Sequence, residues 1–160
     1  GMSQSGGRRI KRTIAIDQQS IRFIDTDEQS DLRRFALIDA YLDQKAGEID
    51  RWNADLRDSG HDPVNHRRVT NVGTFRAYVM AYLRAHPRIN QEMTMLVRHL
   101  QPTAHGLPLE IYCFTRTTAW AEYEGIQADI FDHLLAIMPE FGLRLFQEPS
   151  GMDVKRMMAA

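Results

Sequence analysis

The chain has 160 residues, 43% of them hydrophobic, and a formal net charge of -1. It is long enough for one domain with a real core, and it lacks the basic excess that a general nucleic-acid binder carries. A single cysteine, Cys113, excludes an internal disulfide framework, and no apolar run reaches the ~20 residues of a membrane-spanning helix. Gly1 before Met2 is typical of a cleaved tag. We therefore expect residues 1–7 to be a tag scar and flexible lead on a piece of a longer protein.

Residues 8–25 are predicted to form the first strand and a short continuation. Residues 8–16 alternate in polarity, residues 17–20 are typical of a turn, and residues 21–24 are predicted to resume as a strand. Four basic side chains lie at the start: Arg8, Arg9, Lys11 and Arg12. They would suit a phosphate or lipid surface, but the solvated face of an edge strand is the favoured interpretation.

Residues 26–69 are predicted to be a charged helical insert followed by a loop. Thr26 and Gln29 have capping-box spacing, and the pattern predicts one long helix to about Asp58. Its narrow apolar stripe could pack on its own domain or contact a neighbouring subunit; the residues are Phe35, Ile38, Leu42, Ile49, Trp52 and Leu56. In the following loop, the spacing of His61, Asp62 and His66 matches no standard zinc pattern, so we predict no metal site.

Residues 70–149 carry the predicted core of mixed helix and sheet. Asn71 is predicted to cap a helix over residues 72–85, which Pro87 stops. Residues 93–100 and 108–116 are predicted to form an antiparallel hairpin. On its second strand, Leu109, Ile111 and Cys113 share one face.

The longest amphipathic pattern runs through residues 119–138. Its apolar face recurs at spacings of three and four: Trp120, Tyr123, Ile126, Ile130 and Leu134, widened by Phe131 and Leu135. Asp129 and His133 fall on the opposite, wet face. Pro139 is expected to end the helix and Gly142 to take the left-handed turn after it. Residues 143–147 are predicted to be the last strand, and residues 150–160 a C-terminal tail.

This order of elements predicts an α+β fold. Without the insert it is strand, helix, strand, strand, helix, strand, the pattern of a ferredoxin-like β-α-β-β-α-β sandwich with both helices on one face of an antiparallel sheet. We expect Ile130, Phe131 and Leu134 to pack on a sheet that contains Met95, Val97, Ile111 and Cys113.

The residues give little sign of catalysis. Cys113 is predicted to be a packed thiol, and Asp129 with His133 to be a solvated pair one helical turn apart. The sequence has no glycine-rich phosphate loop, no CxxC and no GxSxG. We therefore predict no enzyme activity and no cofactor. Gly125, inside a helix, suggests that another backbone passes close by.

Three composite segments carry a resemblance to a known family: TNVGTFRAY at residues 70–78, LQPTAHGLP at 100–108, and WAEYEGIQADIFDH with PEFGL at 120–133 and 139–143. They resemble the cytoplasmic C-terminal region of bacterial MscS-type mechanosensitive channels, specifically the miniconductance (YbdG-like) branch. The opening GRRIKRTIAID and IRF resemble the end of that family's β-domain. The insert matches in type, as a charged helix, rather than residue by residue.

The resemblance implies the cytoplasmic vestibule domain of an inner-membrane ion channel. Such a channel is expected to be a homoheptamer that membrane tension opens during hypoosmotic shock, and its subunit contacts and portals would bias ion passage by charge. The positions that match the family motifs or their packing are Asn71, Gly73, Phe75, Arg76, Pro102, Gly106, Trp120, Tyr123, Gly125, Asp129, Phe131 and Gly142. No cofactor, metal, catalytic residue or nucleic-acid partner is implied.

A small-molecule-binding regulatory module is the alternative, because ferredoxin-like frameworks also serve that role. Without membrane helices, assembly of the domain should weaken. We therefore expect a monomer or weak oligomer, with the stripe around Trp52 and Leu56 as its contact.

Overall fold

A computed structural model describes residues 6–159; most of the predicted lead, residues 1–5, lies outside the described range. The strands are β1 (Arg9–Ile16), β2 (Leu96–His99) and β3 (Leu107–Phe114). The helices are α1 (Thr26–Leu32), α2 (Ala36–Asp58), α3 (Asn71–Ala85), α4 (Trp120–Ile137) and α5 (Gly151–Ala159). This mixture of helices and an antiparallel sheet confirms the predicted α+β class.

The three strands form one antiparallel sheet in the order β1-β3-β2. Ile10 lies opposite Cys113 and Val97 lies opposite Ile111, so β3 is central. Along β3 the predicted inward residues, Leu109, Ile111 and Cys113, are buried. The period of two in the sequence therefore gives the correct face of this strand.

The predicted fourth strand is reduced to a single bridge. Leu145 pairs with Ile16, and the Phe146 N–H donates to the Ala15 carbonyl at 2.8 Å. The predicted continuation at residues 21–24 also forms no regular strand: Phe23 makes one isolated bridge to Thr70. The ferredoxin-like arrangement therefore stays a prediction.

The single long helix predicted over residues 26–58 is wrong, because it is two helices broken at residues 33–35. The cap is Asp25 rather than Thr26: its side chain accepts from the Glu28 N–H, and the Glu28 side chain accepts from the Asp25 N–H. The sequence has no proline or glycine at the break. At the break, Arg33 forms ion pairs with Asp39 and Asp43 of α2, at 3.0 and 2.6 Å.

The predicted end of α4 is confirmed. The helix stops at Ile137, a 3₁₀ turn covers Met138–Phe141, and Gly142 has φ +70°. Proline interrupts the helical hydrogen bonds, and glycine adopts the left-handed conformation without a steric penalty. The turn places Phe141 in a stack against Phe35, with ring centroids 5.5 Å apart.

The core is one continuous cluster. On α4 it includes Ile130, Phe131 and Leu134, and from the sheet and its approach Met95, Val97, Ile111 and Cys113, all buried. All seven residues lie in one core, although Met95 immediately precedes β2 and is not part of the sheet as predicted. Leu135, predicted to widen the apolar stripe, is exposed.

Candidate subunit-contact and motif residues

Asn71 joins the start of α3 to the segment that follows β1. Its Oδ1 accepts from the Arg22 N–H at 3.0 Å, and its Nδ2 donates to the Ser20 carbonyl at 2.9 Å. The predicted helix cap at Asn71 is wrong, because Thr70 Oγ1 accepts the Gly73 N–H at 3.0 Å. A Cβ at Gly73 would lie 2.8 Å from that same oxygen. Glycine at this motif position thus leaves room for the cap.

Phe75 and Arg76 follow on α3 and point to different environments. Phe75 is fully buried and meets Phe141 edge-on, with ring centroids 5.3 Å apart. Arg76 is exposed beside Tyr41, whose pKa is raised by burial although the Arg76 charge opposes the rise. Phe75 therefore serves the core, and Arg76 belongs to the surface.

The second motif forms the turn between β2 and β3. Pro102 is exposed, whereas Gly106 is buried with φ +97°. A Cβ at Gly106 would lie 2.6 Å from the Ile16 carbonyl oxygen and 3.0 Å from the Phe146 Cβ. This turn needs glycine both for its backbone angle and for its close approach to the end of β1.

The third motif lies on α4, where the predicted apolar face is only partly correct. Phe131 is buried beneath the Arg12 guanidinium, whose carbon lies 4.2 Å from the ring centroid. The Tyr123 hydroxyl donates to the Arg9 carbonyl at 2.6 Å. Trp120, in the first turn of α4, is however 63% exposed.

Gly125 and Asp129 lie on the exposed side of α4. A Cβ at Gly125 would meet no atom within 4 Å among residues 6–159, so the predicted close backbone is not found in the described chain. Gly142 differs, since a Cβ there would lie 2.8 Å from a guanidinium nitrogen of Arg22. The space beside Gly125 is therefore open, whereas the Arg22 side chain occupies the space beside Gly142.

His133 is not on a wet face as predicted. It shares a 2.6 Å hydrogen bond with the Tyr78 hydroxyl and stacks on Tyr82, with ring centroids 4.4 Å apart. Periodicity placed it opposite the apolar stripe, but aromatic side chains from α3 reach that side of α4. Asp129 stays exposed, so the predicted solvated pair with His133 is wrong.

The apolar stripe proposed for subunit contact is largely used within the chain. Ile38, Leu42 and Ile49 are buried, whereas Trp52 is 57% exposed. Helix α2 packs on α3 through this stripe, so the first three residues offer no free apolar strip. Phe35 and Leu56 are half-buried.

Asn53, rather than Trp52, continues the buried side of α2, and sequence reasoning missed it. Asn53 is 6% exposed, accepts from the Arg67 N–H at 2.8 Å and donates to the Arg67 carbonyl at 2.9 Å. Its spacing of four from Ile49 and three from Leu56 was the available signal. The side chain of Trp52 instead lies against the Arg67 guanidinium, 5.3 Å from carbon to ring centroid.

No reactive centre is formed by the titratable residues that sequence analysis considered. Burial raises the pKa of the Cys113 thiol to about 12, so this group stays protonated and inert at neutral pH. Within residues 6–159, no three His, Cys, Asp or Glu side chains are grouped to hold a metal ion. His61 and Asp62 lie on an exposed loop, where Asp62 accepts from the Val64 N–H.

Comparison with known proteins identifies the family. The family described as mechanosensitive ion channel MscS, C-terminal, matches residues 66–145, which span α3, the sheet hairpin and α4. The low conductance mechanosensitive channel YnaI of Escherichia coli (strain K12) is 33% identical over 79 residues, which cover 49% of this chain and 23% of that protein. Neither match is to an enzyme. None of the helices described combines the length and apolar character needed to cross a bilayer. The chain belongs to the MscS-type mechanosensitive channel family and carries its C-terminal domain.

Proposed function

We propose that this chain is the cytoplasmic vestibule domain of an inner-membrane ion channel that membrane tension opens during hypoosmotic shock. The observation that carries the proposal is the family match over residues 66–145, which builds most of the core. The similar protein in Escherichia coli is described as a low conductance mechanosensitive channel. Assignment to the miniconductance branch stays a prediction. We assign residues 8–25 to the end of the β-domain and the first strand, residues 26–69 to the insert and residues 70–149 to the α/β core.

The vestibule would be a ring of copies, with seven expected from the family resemblance. A ring needs two different contacting surfaces on each copy. Two large apolar side chains on separate helices are candidates, because Trp120 on α4 and Trp52 on α2 are both more than half exposed. Tryptophan is enriched among the residues that dominate interface energies. The open space beside Gly125 would let a neighbouring copy approach α4 closely.

Charge on the exposed surfaces would influence which ions pass between copies. Exposed acidic side chains lie along α4, including Glu122, Glu124 and Asp132, whereas β1 exposes Arg9 and Lys11. Ions near a protein surface respond to such fixed charges within about 10 Å at moderate ionic strength. The pathway for ions is therefore proposed to be lined by charges of this domain.

Sedimentation velocity over a concentration series tests the proposed contacts in the 160-residue chain. We expect weak, concentration-dependent association that Trp120→Ala and Trp52→Ala each reduce. Val64→Ala is the matched control, because Val64 is also exposed but lies on the loop after α2. A tight ring unaffected by both tryptophan changes would overturn these contacts. Association weakened equally by Val64→Ala would show that surface hydrophobicity alone causes it.

A further inference from the structure

A groove of about 420 Å³ lies between α4 and the residues that follow α3. Gly125 and the mostly buried side chain of Ile126 line it on α4, and His86 and Arg88 line it on the other side. A Cβ at Gly125 would meet no atom of residues 6–159 within 4 Å, so this part of the groove is open. Because pockets of about 300–1,000 Å³ hold whole small molecules, the groove has room for one large side chain.

The charged groups of the groove leave it with a net negative charge. Glu122 and Arg88 neutralise each other across it, with 3.5 Å between their charged atoms. Asp129 also lines the groove and forms no ion pair within residues 6–159. Burial lowers the pKa of His86, although Asp129 opposes the fall, so this imidazole is neutral at pH 7. The groove therefore suits an apolar side chain that lies beside a cation.

The exposed ring of Trp52 on α2 has that character. Trp52 is 57% exposed, and the guanidinium carbon of Arg67 lies 5.3 Å from the centroid of its ring. Arg67 and Lys45 share one carboxylate, Glu48, at 3.0 and 3.5 Å. The two cations of this cluster outnumber its carboxylate, so the cluster carries a net positive charge. Its charge is thus complementary to that of the groove.

Helix α3 separates the groove from Trp52. On one side of α3, Met80 lines a hollow with Tyr41 of α2. On the other side, Tyr82 stacks on His133 of α4, with ring centroids 4.4 Å apart. Residues two apart point to opposite sides of a helix, so α2 and α4 flank α3. Two different surfaces at opposite edges of the chain are what a ring of identical copies requires.

We infer that the Trp52 ring of one copy inserts into the groove beside Gly125 on the next copy. This inference rests on the proposed function, in which copies of the chain form a ring. The indole packs on Gly125 and Ile126, and Arg67 faces Asp129 of the neighbouring copy. Each copy supplies one ring and one groove, so the contact is heterologous and can repeat until the ring closes.

Tryptophan fluorescence and sedimentation velocity of the 160-residue chain, each over a concentration series, test this contact. Trp120→Phe leaves Trp52 as the one tryptophan of the chain. We expect its emission to shift to shorter wavelength as the chain associates, because the ring leaves water. Gly125→Leu places a side chain in the groove and should weaken association at least about tenfold. Adding Trp52→Ala to Gly125→Leu should weaken it no further, because both changes remove the same contact.

Ala128→Leu is the matched control, because Ala128 is an exposed residue of α4 that lies outside the groove. Circular dichroism must show that each variant is folded. Equal association of the wild-type chain and Gly125→Leu would overturn the inference, as would absence of association by the wild-type chain. A Trp52 emission that stays constant during association would show that another segment occupies the groove, and would also overturn it. None of these results depends on channel current, so a ring built through other surfaces would leave the proposed function standing.

Discussion

Replacing Asn71 by alanine tests how much this side chain stabilises the chain by bonding the start of α3 to residues 20–22. Alanine removes one hydrogen bond to the Arg22 N–H, which is part-buried, and one to the Ser20 carbonyl, which is buried. A buried group left without a partner costs ~1–3 kcal/mol, and a typical hydrogen bond contributes ~0.5–1.5 kcal/mol. We therefore expect Asn71→Ala to lower the free energy of unfolding by roughly 2–4 kcal/mol.

Urea unfolding followed by circular dichroism measures this loss, and two variants calibrate it. Thr70→Ala removes the actual cap of α3 and should cost ~1 kcal/mol. Asn90→Ala removes an exposed hydrogen bond to the Glu92 N–H and should cost ~0.5 kcal/mol. If Asn71→Ala cost no more than Thr70→Ala, the tie between Asn71 and residues 20–22 would be energetically minor.

Three substitutions and one labelling experiment probe the core, the glycines and the cysteine. Phe131→Ala should cost ~3–5 kcal/mol in a urea melt, and a loss under ~1 kcal/mol would place the ring outside the core. Gly106→Ala should cost ~2 kcal/mol or more, because it strains a positive φ and meets the Ile16 carbonyl. Gly125→Ala should instead stabilise the isolated chain by ~0.5–1 kcal/mol, and destabilisation would reveal a contact there. Iodoacetamide at pH 8 should label Cys113 only after unfolding, since its pKa is about 12; rapid labelling of the folded chain would contradict its burial.

The parts of the fold that local chemistry controls could be predicted from the sequence. The alternation through Leu109, Ile111 and Cys113 gave the buried face of β3, and Pro139 with Gly142 gave the end of α4. In each case neighbouring residues suffice, because strand pleating and the proline ring act within a few positions.

The features that depend on distant partners could not be predicted. Asn71 had the residue type and position of a helix cap, but its partners lie about 50 residues earlier in the chain. Periodicity predicts a surface position for His133, but Tyr78 and Tyr82 from α3 contact it. The break between α1 and α2 contains no proline or glycine that could have marked it in the sequence.

The predicted subunit contact on α2 also depended on distant partners. The stripe on α2 was correctly predicted as apolar, but periodicity cannot tell whether its partner is the same chain or a second copy. Burial of Ile38, Leu42 and Ile49 against the chain itself leaves Trp52 as the exposed apolar side chain of that stripe. Trp120, predicted to lie on the apolar face of α4, became the second candidate because it is 63% exposed.

Patch-clamp recording of the full-length protein in liposomes tests most directly whether this domain serves a tension-gated channel. We expect stepwise currents whose open probability rises with suction applied to the patch. Exchange of Arg9 and Lys11 for glutamate should change the ratio of anion to cation permeability. Absence of any current up to the tension that ruptures the patch, with the oligomeric protein present in the membrane, would contradict the proposed function.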